Sequence, residues 1–171
     1  VEPVSYVHVL LEVVAQGEVQ ERPLARGELH RRGEAPLDDR EVTGGEVAVE
    51  RERLGLDRID VVLCHDIDIF THGSAEASAQ RTREFLDGGV RALSDLRSQG
   101  VVGAIGIGVN EWQVSETVAR NSDVDLFLLA GRYTLLEQES LASFLPLCER
   151  KGMGVIIGGP FNSGILATGP K

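Results

Sequence analysis

Ile59-Asp60-Val61-Val62-Leu63-Cys64-His65-Asp66 is the stretch that decides the fold. Ile59–Cys64 is a short β-branched, apolar run bounded by polar residues, the kind of strand buried on both faces of a parallel sheet. Working outward, Ala75–Gln99 carries Leu86, Val90, Leu93 and Leu96 at spacings of three to four and is followed by Gly100, which predicts a helix loosened at Gly88-Gly89. Val101–Ile107 reads as a second strand, Glu111–Arg120 as a second helix and Val124–Leu129 as a third strand. Ser140–Lys151 places Leu141, Phe144, Leu145 and Cys148 at i, i+3, i+4 and i+7, predicting a third helix closed by Gly152, and Gly154–Ile157 is the fourth strand. The order β-α-β-α-β-α-β with short connections means an α/β architecture with parallel strands and right-handed crossovers.

The surrounding composition agrees with a packed domain. Of 171 residues, 42% are hydrophobic and 26% charged, which sets aside a disordered chain or a coiled coil. Lys+Arg 17 against Asp+Glu 27 gives 17 − 27 = −10, with no basic stripe, so neither nucleic acid nor an anionic membrane surface is an expected partner. No apolar run approaches the roughly 18 residues of a membrane span; Val124–Gly131 is broken by Asp125. Cys64 and Cys148 fall in a strand and a helix, as buried thiols of a reducing compartment do, and no signal-peptide pattern opens the chain; a cytoplasmic location is expected. The texture changes near residue 49. Val1–Ala48 has no Lys, Asn, Ile, Phe or Trp, carries 10 acidic and 5 basic residues, and sustains no period from Gln16 to Gly45, so residues 1–48 are expected to be an irregular segment foreign to the fold of 49–171.

In parallel α/β folds the working residues lie just past the carboxyl ends of the strands. Those positions hold His65, Asp66, Asp68 and His72; then Asn110; then Arg132 and Tyr133; then Gly158, Gly159, Pro160, Phe161, Asn162 and Ser163. The opposite ends hold only the turn residues Gly100, Asp123 and Gly152. Each polar position also has a structural reading. His65 suits a strand end, and Asn110 followed by Gln113 suits a helix N-cap with its capping-box partner. Tyr133 suits a rim cover and Arg132 an ion pair. Gly158-Gly159-Pro160 suits a turn, though glycines after a strand also let backbone N–H groups approach a phosphate. Gly103-Ala104-Ile105-Gly106-Ile107-Gly108 matches neither dinucleotide fingerprint nor P-loop and reads as a strand packed closely. A second chemistry is open at the first strand end: His65, Asp66, Asp68 and His72 are possible ligands of a divalent metal in a hydrolase. A non-enzymatic binding fragment is a third reading. Cys64 and His65, as neighbours on a strand, point to opposite faces and make a poor nucleophile pair.

Four segments taken together resemble the aldo-keto reductases: residues 53–66 (RLGLDRIDVVLCHD), 104–110 (AIGIGVN), 131–138 (GRYTLLEQ) and 159–166 (GPFNSGIL). The similarity spans about residues 50–171 in order. With Phe70–Gly73 (FTHG) it is similar to the branch of D-threo-aldose or L-fucose 1-dehydrogenases and pyridoxal dehydrogenases. The resemblance implies a TIM (β/α)8 barrel, here about strands four to seven, that uses NAD(P) to oxidise an aldose or related alcohol at C1, or to reduce the carbonyl. It implies His65 as the catalytic histidine that orients the substrate oxygen, Asn110 as the partner of the nicotinamide carboxamide, and Gly159, Phe161 and Ser163 in the loop around the cofactor pyrophosphate. The substrate implied is a small sugar or aldehyde, and a metal is not. Two positions depart from the family pattern: Ala130 stands where a Gln is usual and Gly158 where a stacking aromatic is common. The family's Asp, Tyr and Lys precede its His, whereas the two lysines here, Lys151 and Lys171, both follow His65. The expectation is therefore a partial barrel, inactive by itself, whose open strand edges favour self-association.

Overall fold

The computed structural model describes residues 58–130 and 133–169. The expected irregular segment 1–48 and Arg132 lie outside the described residues.

Four parallel strands form one sheet: β1 (Ile59–His65), β2 (Val102–Val109), β3 (Leu126–Ala130) and β4 (Gly154–Gly158), in the spatial order β1-β2-β3-β4. Between β1 and β2 come a four-residue helix α1 (Ile69–His72), α2 (Ala75–Glu84), a π-helical turn (Phe85–Gly89) and α3 (Val90–Ser98). Helix α4 (Trp112–Asn121) joins β2 to β3, and a 3₁₀ turn (Glu139–Ala142) with α5 (Phe144–Lys151) joins β3 to β4. The short α6 (Ile165–Thr168) follows β4. This is a run of consecutive β/α units of a TIM barrel, as expected. Among the described residues β1 and β4 each have one strand neighbour; nothing else in the fold bears on the expected self-association.

The sheet supplies Ile59, Val62, Cys64, Ile105, Ile107, Phe127 and Leu129 to the core, and the crossover elements add Phe85, Leu93, Val118 and Phe144. Phe127 and Phe144 meet edge to face with centroids 5.2 Å apart, a favourable aromatic geometry that fixes α5 on β3. Strand β2 is small where its neighbours press on it. A Cβ placed on Gly106 would stand 2.0 Å from the carbonyl oxygen of Leu126, its register partner on β3, and 3.0 Å from Cδ2 of Leu63 on β1. The glycines of 103–108 thus serve close packing, as their alternation predicted.

Several boundaries differ from the sequence expectation for identifiable reasons. Strand β3 begins at Leu126 and not at Val124. Asp125 N–H donates to the Ile105 carbonyl at 2.8 Å while the Asp125 carboxylate accepts from Ile105 N–H at 2.8 Å and from Arg97 at 2.5 Å, so a side chain takes the place of a ladder bond. The helix expected over 75–99, by contrast, is loosened where expected: a π-helical turn over Phe85–Gly89 takes in the Gly88-Gly89 pair. The helix expected over 140–151 breaks at Ser143 (φ −146°, ψ −48°), whose hydroxyl donates to Glu116 Oε2 on α4 at 2.8 Å. Leu141, expected on its buried face, is therefore exposed. Gly152 ends α5 in the left-handed conformation (φ +69°), where a glycine is favoured.

Two glycine substitutions distinguish packing from helix propensity. Gly106→Ala is expected to lower stability by about 3 kcal/mol, since the obstructing atom is backbone. Gly88→Ala, with nothing within 4 Å of its Cβ, is expected to raise it by about 0.5–1 kcal/mol. Urea unfolding midpoints of the two variants check both signs.

Candidate active site

Parallel pairing aligns the four carboxyl ends along one rim. His65 pairs with Gly108, Val109 with Leu129, and Ala130 with Gly158. His65, the last residue of β1, is half-buried, and its imidazole lies against Gly108. A Cβ on Gly108 would come within 2.5 Å of His65 Nε2, 2.6 Å of Cε1 and 2.9 Å of Cδ2. The glycine thus provides the surface on which the ring rests. Asp66 turns the chain in the left-handed conformation (φ +61°), and its N–H donates to the Gly108 carbonyl at 3.0 Å.

Asp68 has no exposed surface and organises the loop. Its Oδ1 accepts from Thr71 N–H at 3.0 Å and so caps α1. Its Oδ2 accepts from the Asn110 backbone N–H at 2.6 Å and from Asn110 Nδ2 at 3.0 Å. Burial alone pushes the Asp68 carboxyl up, but hydrogen bonds from Asn110 and Thr71 outweigh it and hold the group below its ordinary value. A second bond crosses the same gap: Ile69 N–H donates to Glu111 Oε2 at 3.1 Å. The Ser78 hydroxyl adds a buried bond to the Ile67 carbonyl at 2.9 Å.

These contacts correct two sequence expectations. Asn110 is not the N-cap of α4: Glu111 holds that position, without a side-chain capping bond, because the Asn110 amide is turned to Asp68. Nor does the first strand end assemble a metal site. Among the described residues no group of three or more His, Cys, Asp or Glu side chains is placed to hold an ion. Asp68 is committed to Thr71 and Asn110, and His72 is exposed in the last turn of α1. Cys64 is buried; desolvation, with Asp66 adding to it, pushes its thiol up to about 12, which agrees with a core role.

Past β4 the chain makes a tight, exposed loop. Gly159 (φ +66°), Asn162 (φ +45°), Ser163 (φ +55°) and Gly164 (φ +96°) are all left-handed. Asn162 Nδ2 donates to Glu137 Oε1 at 2.9 Å, which ties this loop to the one after β3. Phe161 is 59% exposed. A Cβ on Gly158 would meet its neighbours only at ordinary contact distances of 3.6–3.8 Å, so packing does not demand a glycine there. Tyr133 is half-buried against the core. Neither α1 nor α6 was foreseen, and four-residue helices offer too few positions for a periodic signal; the signal that was present for α1 is Asp68, a capping residue type, just before it.

Polar residues and a glycine-rich loop thus gather at the carboxyl rim of a barrel segment. The Aldo/keto reductase family model matches residues 40–170, and the chain belongs to that family. It is similar to pyridoxal 4-dehydrogenase of Microbacterium luteolum, 45% identical over 118 residues, covering 69% of this chain and 34% of that protein. It is also similar to a D-threo-aldose 1-dehydrogenase of Pseudomonas sp., 41% identical over 121 residues, 71% of this chain and 34% of that protein. The chain thus spans about a third of the length of these relatives. Among solved structures, an aldo-keto reductase from Bacillus halodurans in its holo form superposes with a TM-score of 0.56 at 22% identity, covering 74% of this chain and 37% of that one. The glycerol dehydrogenase of Gluconobacter oxydans gives 0.53 at 20% identity over 74% of this chain and 34% of that one. These two establish the fold. No described helix is long and apolar enough to cross a membrane.

Two measurements follow from the site's electrostatics. Because the folded Asp68 carboxyl lies below its ordinary value near 3.8, its stabilising contribution is complete above that value and is lost as pH falls through the lower folded one. Unfolding midpoints between pH 5 and pH 2 are expected to fall less steeply in Asp68→Asn than in the wild type. In native protein at pH 8, Cys64 (pKa about 12) and Cys148 (about 11) are expected to react with a thiol reagent at least 100-fold more slowly than in urea.

Proposed function

We propose that this chain carries the histidine and the cofactor-facing rim of an NAD(P)-dependent aldo-keto reductase that oxidises an aldose or a related alcohol, such as the pyridoxal hemiacetal, or reduces the corresponding carbonyl. The observation that carries the reading is the placement of His65, Asn110 and the 158–164 loop at the carboxyl ends of β1, β2 and β4, along one rim of a parallel sheet.

In this reading the imidazole of His65, resting on Gly108, hydrogen-bonds the substrate oxygen and stabilises the charge that develops on it. The carboxamide of Asn110 pairs with the carboxamide of the nicotinamide. The exposed, left-handed backbone around Gly159 and Ser163, with Phe161 beside it, lies along the pyrophosphate. The residues present fit such a dinucleotide: the rim at Gly158 lacks a side chain that packing does not forbid, and the loop after it is exposed. When bound, the nicotinamide ring supplies a hydride acceptor or donor. The proton of the substrate hydroxyl needs a separate base. Lys151 does not assist one, because its Nζ donates to the Ala119 and Ser122 carbonyls at the far end of α4, at 2.7 and 2.9 Å. The 171-residue polypeptide is accordingly expected to bind dinucleotide without turning over. Its compartment in this reading is the cytoplasm, where its buried thiols stay reduced.

Titration of the full chain with NADPH, followed by the fluorescence of the reduced nicotinamide, tests the reading. Saturable binding weakened about 10-fold by Asn110→Ala, a loss of about 1.4 kcal/mol, is the expected result. An absence of binding, or binding indifferent to Asn110, contradicts it. NAD(P)H formation from an aldose or pyridoxal by the purified chain contradicts the expected lack of turnover.

A further inference from the structure

We propose that Glu137 and Asn162 are positioning residues, a clasp that sets the backbone of the 158–164 loop for the pyrophosphate of the dinucleotide, with Thr134 fixing Glu137 in place. The inference deepens the function given above and rests on it for the identity of the ligand.

The clasp is built outward from a buried threonine. Thr134 Oγ1 accepts from the N–H groups of Leu136 and Glu137, both at 3.1 Å, and Thr134 N–H donates to the Glu137 carbonyl at 2.8 Å. These bonds close a tight turn past β3 and fix the Glu137 backbone. The Glu137 side chain then crosses to the next loop, 25 residues on, where its Oε1 accepts from Asn162 Nδ2 at 2.9 Å. The other end of that amide, Oδ1, is buried and has no hydrogen-bond partner among the described residues, so the bond to Glu137 is what holds the Asn162 side chain. The backbone so held is an unfavourable one. Asn162 (φ +45°) and Ser163 (φ +55°) are consecutive non-glycine residues in the left-handed region. Asparagine enters that region more readily than most residues and serine does not, so the pair persists only with support from its surroundings. Within the loop, Asn162 N–H donates to the Gly159 carbonyl at 3.2 Å and Gly164 N–H to the Phe161 carbonyl at 3.0 Å. The N–H groups of Phe161 and Ser163, on two exposed residues, have no acceptor among the described residues. A loop that withholds exposed N–H groups from its own carbonyls presents them to an anion such as pyrophosphate. Glu137 is itself an acid with no attraction for a phosphate; its contribution is the loop shape that its bond to Asn162 imposes.

The test is NADPH titration of the full chain and of the variants Glu137→Ala, Glu137→Gln, Asn162→Gly, Thr134→Val and the double variant Glu137→Ala with Asn162→Gly. Glycine at 162 keeps the left-handed backbone accessible and removes only the side-chain bond. Glu137→Ala and Asn162→Gly are each expected to weaken binding about 10-fold, the double variant no more than about 20-fold because both cut one bond, and Thr134→Val about 3-fold. Glu137→Gln keeps an acceptor for Asn162 and is expected to bind within about 2-fold of the wild type. So is Glu139→Gln, which removes an exposed charge in the neighbouring 3₁₀ turn, outside the clasp. Charge by itself gives the opposite sign, since an acid removed beside a phosphate tightens binding. In spectra of ¹⁵N-labelled chain the Phe161 and Ser163 amide signals are expected to move in Glu137→Ala and to stay in Glu137→Gln. Equal or tighter binding by Glu137→Ala, a Glu137→Gln as weak as Glu137→Ala, or losses that multiply to about 100-fold in the double variant overturns the proposal. If Glu137→Ala does not fold, Asn162→Gly and Thr134→Val decide by affinity and by the same two amide signals. A wild type that does not bind NADPH overturns the dinucleotide reading, whereas a wild type that binds and is matched by every clasp variant overturns the clasp alone.

Discussion

Among the described glycines, those of strand β2 are under the tightest constraint. Its Gly106 lies so close to the Leu126 carbonyl that no side chain fits, and its Gly108 lies under the His65 ring. Both follow from a sheet in which β2 is flanked on each side by a parallel neighbour. Close approach at Gly106 holds the β2–β3 register and brings the carboxyl ends of the strands level. The absence of a side chain at Gly108 then decides where the imidazole rests. Packing and site geometry here have the same cause: the missing Cβ atoms of one strand.

The second constraint is a buried charge. Asp68 collects two backbone N–H groups and one side-chain amide, and it does so across 42 residues of sequence to Asn110. Such a carboxylate is costly to bury unless each oxygen is satisfied, and here both are. The result is a rigid seam between the β1 and β2 loops, and the histidine and the asparagine of the proposed site stand on its two sides. A third tie, Asn162 to Glu137, joins the β3 and β4 loops in the same manner. The rim is therefore organised by polar side chains bonded between neighbouring loops, while the strands beneath are held by apolar packing.

The strand order, the parallel direction and the face that carries the polar residues were legible in the sequence, because runs such as Ile59–Cys64 and Val124–Leu129 are strongly apolar and bounded by turn residues. Less legible was anything decided by a distant partner. Asn110 has the form of an N-cap, and locally that is the best use of it, but a carboxylate far along the chain competes successfully for its amide. Ser143 interrupts a well-formed apolar period because its hydroxyl is drawn to Glu116 on another helix. Asp125 delays a strand because its carboxylate substitutes for a ladder partner. The possible metal cluster failed for a related reason: spacing in sequence brought His65, Asp66, Asp68 and His72 near one another, but burial committed Asp68 elsewhere and the end of α1 carried His72 outward. Family membership was legible from four segments in their order, since glycine and polar positions at strand ends are specific when they occur together.

The central claim is that the carboxyl rim of this sheet is a dinucleotide-facing surface. Chemical-shift mapping of the labelled chain with NADPH addresses it directly. The account predicts perturbations at Asn110, Gly159 and Ser163, with none at Gly100, Asp123 and Gly152 at the opposite ends of the strands. Shifts concentrated at that opposite end, or no shifts at saturating nucleotide, would contradict it.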